Sequence, residues 1–215
     1  PFYYSLAKTF CLGNRYFASV PAQTYPNRRF LYSGTAEGTV STDLDTLKLP
    51  PPANGTLADL LSRFNLDWRS YFTDLPALAI IPEQLTRHAS NFSLMAKFYD
   101  DCATGSLPAV SFVDPEFGLI DEVGTALFTY LNQLIQSKDP DIPPAVLQAI
   151  ETLEQKIESQ GGSEENPADI AIGEAFVSRV VQAVMASPNW SRTLLVWTYD
   201  EHGGEYDHVP PPPAC

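Results

Sequence analysis

The segment from residue 200 to residue 208, DEHGGEYDH, is the densest cluster of side chains that could do chemistry. Asp200 and Glu201 are adjacent carboxylates, and His202 and His208 are two of the chain's three histidines. Carboxylate oxygens and an imidazole nitrogen are donors that a divalent cation accepts, and an imidazole also hydrogen-bonds to a developing oxyanion. The pair of glycines allows a tight turn or a close approach of the backbone to a ligand. The pattern predicts a metal-dependent site, and a solvated acidic loop explains the same residues equally well.

Thr24 is the second candidate, in the segment PAQTYPNRRF. Pro26 suits the first turn of a helix, because its missing N–H has no partner at that position. A threonine hydroxyl beside a helix N-terminus lies where backbone N–H groups and the helix dipole favour a phosphate or an alkoxide nucleophile. Arg28 and Arg29 are placed either to pair with a phosphate or to lie exposed on the helix. On the local pattern alone, a threonine that only caps the helix is the simpler interpretation.

The elements that must position these residues are predicted from apolar runs. The run Thr193 to Tyr199, TLLVWTY, has no strict alternation, which predicts a strand covered on both faces, as in a parallel sheet. Strands are also predicted at Trp68 to Phe72 and at Leu107 to Val113, and Leu75 to Ile81 is a further apolar run of core-strand length. Ligands of open α/β sheets bind beyond the carboxyl ends of the strands, which is where residues 200 to 208 would lie.

Helices are predicted where apolar residues recur every three or four positions. The first covers Phe2 to Phe10, and Thr56 is placed to cap a helix with four buried positions, Leu57, Leu60, Leu61 and Phe64. A later helix buries one face, formed by Ile172, Phe176, Val180 and Val184. His88 is expected on the surface of a helix.

Two more helices are predicted at Val123 to Leu134 and at Val146 to Ile157, as an insertion or cap between about residues 118 and 165. Helices and buried strands that follow one another predict an α/β domain with a mostly parallel central sheet flanked by helices.

Composition excludes several classes of protein. The chain has 215 residues, of which 44% are hydrophobic, so it is not a disordered chain. Thirteen basic residues against 26 acidic ones leave a formal charge of -13, which repels nucleic acid. No apolar run reaches the roughly 20 residues that cross a bilayer, so no transmembrane segment is expected. The chain begins at Pro1 without a methionine, and we expect both of its ends to be cut from something longer.

Two long motifs carry a resemblance to a known family. The segments PAQTYPNRRFLYSGTAEG and SPNWSRTLLVWTYDEHGGEYDHVPPPP resemble the phosphoesterase family, which contains non-specific phospholipases C and a bacterial acid phosphatase and belongs to the alkaline phosphatase superfamily. The resemblance covers most of the chain and is weakest between about residues 118 and 165. It implies one partial catalytic domain over residues 1–215, with an alkaline-phosphatase-like layered fold that is incomplete at both ends.

The resemblance also implies roles for individual residues. Thr24 corresponds to the family's hydroxyl nucleophile, which attacks phosphorus, becomes phosphorylated and contacts the metal. Asp200 and Glu201 correspond to metal ligands, and His202 is a catalytic residue of the same DEHGG motif. A divalent cation of unknown identity is the implied cofactor, because a cation lowers the pKa of the hydroxyl and neutralises the phosphoryl oxygens.

The remaining implied residues contact the substrate. Asn27 and Arg28 are expected to shape the phosphate pocket, and His208 is expected to bind substrate from the loop after the DEHGG motif. The implied substrate is a phospholipid or a small phosphoester, reached through transient contact with a membrane surface. Relatives in bacteria are commonly exported, so the resemblance implies an extracellular or exported protein.

Two departures from the family pattern bear on activity. The family's Glu-Asn metal motif would precede Pro1, and the His-Pro pair that often contacts phosphate is replaced near Glu165 and Asn166. The leading hypothesis is a phospholipase C that cleaves the glycerol–phosphate bond through a phosphothreonine intermediate. The alternatives are an acid phosphatase acting on monoesters, a truncated and catalytically inert family member, and a nonenzymatic surface protein. Only three N-x-S/T triplets, at Asn54, Asn91 and Asn189, favour the last of these, and such triplets occur by chance.

Overall fold

A three-stranded parallel sheet forms the centre of the molecule in the computed structural model, which describes residues 1–117, 128–133, 136, 142–154, 164 and 168–213. The strands are β1 (Trp68–Phe72), β2 (Phe92–Leu94) and β3 (Val110–Asp114), in the order β2-β1-β3. Phe72 lies opposite both Leu94 and Asp114, so the three strands end at one edge. The predicted α/β class is confirmed, as are the exact bounds of β1.

Helices accompany the sheet within the described residues. They are α1 (Phe2–Thr9), α2 (Thr24–Ser33), α3 (Leu44–Leu47), α4 (Leu57–Arg63), α5 (Glu83–Arg87), α6 (Met95–Thr104), α7 (Pro144–Glu154) and α8 (Ile170–Ala186). Residues 128–133 are also helical. In the described part of the chain, no helix is both long and apolar enough to cross a membrane.

Both faces of the sheet are covered. Trp68 and Phe72 of β1 point into the main core, together with Leu75, Leu78 and Leu85. Tyr71 points to the opposite face, where it packs against α6 and α8 through three buried residues, Phe98, Val180 and Val184. Because successive side chains of a strand point to opposite faces, a strand covered on both faces shows little polar alternation.

The N-cap predicted at Thr56 is confirmed. Its hydroxyl accepts a hydrogen bond from the Asp59 amide, and the Asp59 carboxylate accepts one from the Thr56 amide, which together form a capping box. The predicted buried face of α4 is mostly wrong: Leu61 is buried, but Leu57, Leu60 and Phe64 are exposed. The helix has only seven residues and buries the narrow stripe formed by Ala58 and Leu61.

The expectation for His88 is also wrong. It follows the last residue of α5, and its side chain is only 11% exposed. Its Nε2 lies 3.0 Å from Asp59 Oδ1, and its Nδ1 lies 3.4 Å from Ser62 Oγ. The imidazole therefore joins α4 to the chain after α5, a tertiary contact that the local sequence does not reveal.

The apolar run Leu75 to Ile81 is buried but is not a strand. Residues Ala77–Ile80 form a 3₁₀ turn that begins after Pro76, and Pro82 follows it. The two prolines lack the amide N–H groups that a sheet ladder needs, so burial is reached through a compact turn instead.

The predicted strand at Thr193 to Tyr199 is not found. The segment is irregular, and Leu194 and Val196 are 87% and 73% exposed. A strand requires a hydrogen-bonded neighbour, and within the described residues no strand pairs with this run.

The predicted helical pair between residues 118 and 165 lies largely outside the described residues. Its second member is present as α7, in which Val146 and Ile150 are buried in the main core. Whether this region is an insertion or cap stays a prediction. The helix predicted around Ile172 to Val184 is confirmed as α8, although Ile172 itself is exposed.

Candidate active site

Thr24 is the first residue of α2, and it is buried. Its hydroxyl makes no hydrogen bond to any other described residue. The helix end offers an anion fewer donors than the sequence pattern predicts, because the Tyr25 amide donates to Thr42 Oγ1 at 3.2 Å and Pro26 has no N–H. Gly34, in the left-handed conformation with φ 72°, ends the helix.

Asn27 holds the loop that leads to Thr24. Its Oδ1 accepts from the Val20 amide at 3.1 Å, and its Nδ2 donates to the carbonyl oxygens of Val20, Ala22 and Gln23 at 2.9 to 3.2 Å. These contacts fix the backbone before α2, since a buried amide side chain that makes four such bonds has one orientation. The role expected for Asn27 in substrate binding stays a prediction, and the contacts described here give it a positioning role.

Arg28 is the point at which the two sequence motifs meet. Its Nε donates to Asp200 Oδ2 at 2.9 Å, across 172 positions of the sequence. Its Nη1 lies 3.6 Å from Asp114 Oδ1, and its guanidinium carbon lies 4.8 Å from the centroid of the Phe117 ring. A planar guanidinium can satisfy two carboxylates and stack on an aromatic ring at the same time. The Arg28 side chain is only 15% exposed and lies within the site, so the exposed alternative does not apply to it.

Charge and burial act against each other at this cluster. Burial by itself lowers the pKa of Arg28, but the nearby carboxylates of Asp200 and Asp114 outweigh it and raise the pKa. Burial raises the pKa of Asp114 to about 6, although Arg28 partly opposes the rise. Burial also raises the pKa of the Tyr32 hydroxyl beside them. Arg28 therefore stays positively charged beside Asp114 and Asp200.

Asp114 is a site residue that the sequence reasoning missed. It is the last residue of β3, and its Oδ2 accepts a hydrogen bond from the Ala77 amide at 2.9 Å. The rule that marked Asp200, a carboxylate at the carboxyl end of a strand-like run, also applies to Asp114. Asp74 is held nearby, where its Oδ1 accepts from the amides of Leu75 and Phe117 at 2.7 and 3.0 Å.

Arg29, the neighbour of Arg28, is buried away from this cluster. Its Nη2 donates to the Pro50 carbonyl at 3.5 Å, and burial lowers its pKa. The structure therefore separates the two consecutive arginines, and only Arg28 contacts the other site residues.

The remaining predicted residues lie on the irregular segment after Tyr199. Glu201 Oε2 lies 2.7 Å from His202 Nδ1 and accepts from the Gly203 amide at 2.8 Å. Gly203 and Gly204 have φ angles of 63° and 75°, which confirms the tight turn expected of them. His208 contacts Asp207, and both side chains are exposed. No contact joins His202 or His208 to Arg28 among the residues that the structure describes.

A metal ion suits the donor types at this site but not their arrangement. The oxygens of Thr24, Asp200 and Glu201 are hard donors. However, Asp200 is paired with a guanidinium, and across the described ranges no group of three or more His, Cys, Asp or Glu residues is placed to hold a metal. The described residues therefore do not form a metal site by themselves. Glu165 and Asn166, which stand in place of the His-Pro pair, lie outside those ranges.

Comparison with known proteins identifies the family of this chain. A sequence profile described as "Phosphoesterase family" matches residues 1–215. The chain belongs to the phosphoesterase family. The resemblance inferred from the two motifs is thereby confirmed, and it extends over the whole chain.

Individual relatives within the phosphoesterase family carry more specific names. The chain is 32% identical to non-specific phospholipase C6 of Arabidopsis thaliana and 31% identical to non-specific phospholipase C1 of the same plant, over 99% of its length. It is 26% identical to a non-hemolytic phospholipase C of Burkholderia pseudomallei, again over 99% of its length. It covers 34%, 33% and 30% of these three proteins, so the chain spans about a third of the length of the relatives it matches.

Proposed function

We propose that the protein containing this chain is a phosphoester hydrolase of the phospholipase C type, which cleaves the glycerol–phosphate bond of a phospholipid. The observation that carries this proposal is the contact between Arg28 and Asp200, in a chain that matches the phosphoesterase family from end to end. The contact joins the motif around Thr24 to the DEHGG motif at the carboxyl edge of a parallel sheet. The names of the relatives support the choice of phospholipid as substrate.

The proposed reaction has two displacements at phosphorus. In the first, Thr24 Oγ1 forms a bond to phosphorus while the bond from phosphorus to the glycerol oxygen breaks, and the proton of the threonine hydroxyl ends on that leaving oxygen. In the second, a water oxygen bonds to phosphorus, the bond to Thr24 breaks, and one proton of the water returns to Thr24. The released products are diacylglycerol and the phosphorylated head group.

The other residues supply charge and proton transfer in this proposal. Arg28 is proposed to donate hydrogen bonds to the phosphoryl oxygens, since a guanidinium matches their geometry. His202 carries the proton to the leaving oxygen on Nε2, because its Nδ1 faces Glu201. Asn27 keeps the loop before Thr24 in place, and His208 is proposed to contact the head group.

A divalent cation is part of the proposal, with Asp200, Glu201 and Thr24 among its ligands. When bound, such an ion would lower the pKa of the attacking hydroxyl and offset phosphoryl charge. Since the described residues do not complete a metal site, calorimetric titration of the whole protein with Mg²⁺, Ca²⁺ or Zn²⁺ tests this part separately. Absence of binding by all three ions would contradict it. Export of the protein likewise stays a prediction.

Replacing Thr24 tests the nucleophile. In the protein expressed from its full coding sequence, we expect Thr24→Ala to lower the rate of phosphatidyl substrate hydrolysis by about 10³-fold or more, because the bond-forming oxygen is lost. Thr35→Ala, a change of the same type in the loop after α2, is the matched control and should retain full activity. Undiminished hydrolysis by Thr24→Ala would refute the assignment.

The same assay separates the two enzymatic alternatives. A phospholipase C releases the phosphorylated head group from a diester, whereas an acid phosphatase prefers a soluble monoester such as p-nitrophenyl phosphate. A wild-type protein that hydrolyses neither substrate is the result expected of an inert family member.

A further inference from the structure

A pocket of about 210 Å³ lies between α6, α8 and the residues that follow β1 and β3, and neither the sequence motifs nor the proposed reaction uses it. Its apolar lining comes from two helices: Met95 and Tyr99 from α6, and Ile172 and Phe176 from α8. Its polar lining is Thr73, Glu116 and Arg179. The pocket therefore has an apolar side, formed by helices, and a polar side that includes two residues next to the sheet.

The polar side adjoins the candidate active site through the chain itself. Thr73 directly follows β1 and precedes Asp74, and Glu116 follows β3 and precedes Phe117. The Phe117 amide donates to Asp74 Oδ1 at 3.0 Å, and its ring packs under the Arg28 guanidinium. Thr73 and Glu116 thus line the pocket, and the next residue of each segment, Asp74 or Phe117, lies at the Arg28 cluster.

The apolar side continues to the molecular surface. Ile172 lines the pocket and is 40% exposed, so the apolar lining reaches solvent at this position of α8. An apolar surface that begins beside a phosphoester site and opens to the exterior fits an amphipathic ligand, with its polar end at the sheet and its hydrocarbon against the helices.

We infer that this pocket receives the hydrocarbon part of a phosphoester, and that Ile172 and Phe176 select lipid esters over small soluble ones. The inference rests on the proposed function, because the phosphoryl group is placed at the Arg28 cluster. It goes beyond that function by naming the surface that distinguishes a lipid ester from a small soluble ester. One methylene group more or less in an apolar pocket changes discrimination between substrates by about 10- to 200-fold.

Ile172→Asp in the full protein is the test, with Ile170→Asp as its matched control. Both positions are exposed on α8 and both changes add one negative charge, but only Ile172 lines the pocket. Binding is measured by calorimetry with octylphosphonate and with methylphosphonate, and hydrolysis is measured with a long-chain phospholipid and with bis(p-nitrophenyl) phosphate.

We expect Ile172→Asp to weaken octylphosphonate binding and to lower kcat/KM for the phospholipid by at least tenfold, because it places a carboxylate where hydrocarbon would lie. Methylphosphonate binding and hydrolysis of the soluble diester should stay unchanged, and Ile170→Asp should change nothing. Equal losses for the long and short ligands, or no loss for either, would overturn the inference. A wild-type protein that binds octylphosphonate through Ile172 but hydrolyses no ester would overturn the proposed function and leave the pocket assignment standing.

Discussion

At the residue scale, the site depends on one largely buried guanidinium. Arg28 is held by Asp200 at 2.9 Å, by Asp114 at 3.6 Å and by the ring of Phe117. Arg28 compensates the charge of these two acids beside α2. Buried ion pairs often add little net stability, but removing one partner is costly because the other charge is left without compensation.

Replacing Arg28 should therefore destabilise the protein. We expect Arg28→Met to lower the free energy of unfolding by about 3 to 5 kcal/mol, since the methionine keeps most of the side-chain volume but removes the charge and the N–H donors. Chemical denaturation measures the change, and Arg63→Met at an exposed position of α4 is the control. A loss no larger than that of the control would show that Asp114 and Asp200 do not need Arg28.

At the element scale, the short helix α4 is held by hydrogen bonds at its N-terminus more than by its apolar face. The seven-residue α4 buries only two apolar residues. In addition to its part in the capping box, the Asp59 carboxylate contacts the side chains of Gln84, Arg87 and His88. Burial alone would raise the pKa of Asp59, but the bonds from Arg87, His88 and Thr56 lower it well below its usual range.

This lowered pKa has a consequence for stability against pH. The unfolded Asp59 takes up a proton near pH 3.9, whereas the folded one remains ionised at lower pH. The stabilisation is therefore fully present above about pH 4 and is lost as the pH falls below that value. We expect Asp59→Asn to cost about 2 kcal/mol at pH 7, and we expect the difference from wild type to shrink below pH 4.

Denaturation curves at pH 7 and pH 3 measure this difference. Asp45→Asn is the control, because Asp45 is exposed and pairs only with Lys48 at the surface, where such a pair contributes about 0 to 1 kcal/mol. A difference between Asp59→Asn and wild type that does not depend on pH would contradict the assignment.

At the scale of the whole molecule, an exposed apolar segment lies between α8 and the DEHGG motif. The run TLLVWTY presents Leu194 and Val196 to solvent, and within the described residues no strand pairs with its backbone. Unpaired segments with strand-forming side chains associate with other chains.

The chain of residues 1–215 should therefore self-associate through this run. We expect the double substitution Leu194→Lys and Val196→Lys to shift the sedimentation coefficient towards the monomer. Leu12→Lys with Val40→Lys adds the same charge at two other exposed positions, each 65% exposed, and should have little effect. Equal shifts from the two double variants would attribute the change to net charge instead of the run.

The sequence by itself determined the features that depend on neighbouring residues. The cap at Thr56, the start of α2 near Thr24 and the turn at the two glycines follow from local backbone preferences, which few residues suffice to specify. The family also follows from two continuous motifs. The cap, the helix start and the turn form whatever surrounds them, because their hydrogen bonds join residues only a few positions apart.

Only the tertiary structure decided which chemical groups face each other. It placed Asp114 with Arg28 and Asp200, and it drew His88 into a network with Asp59. It also left the apolar run after Thr193 exposed, although its composition is that of a core strand. The physical reason is the same in each case: burial, ion pairing and strand pairing depend on partners far away in the sequence, and a local pattern cannot name them.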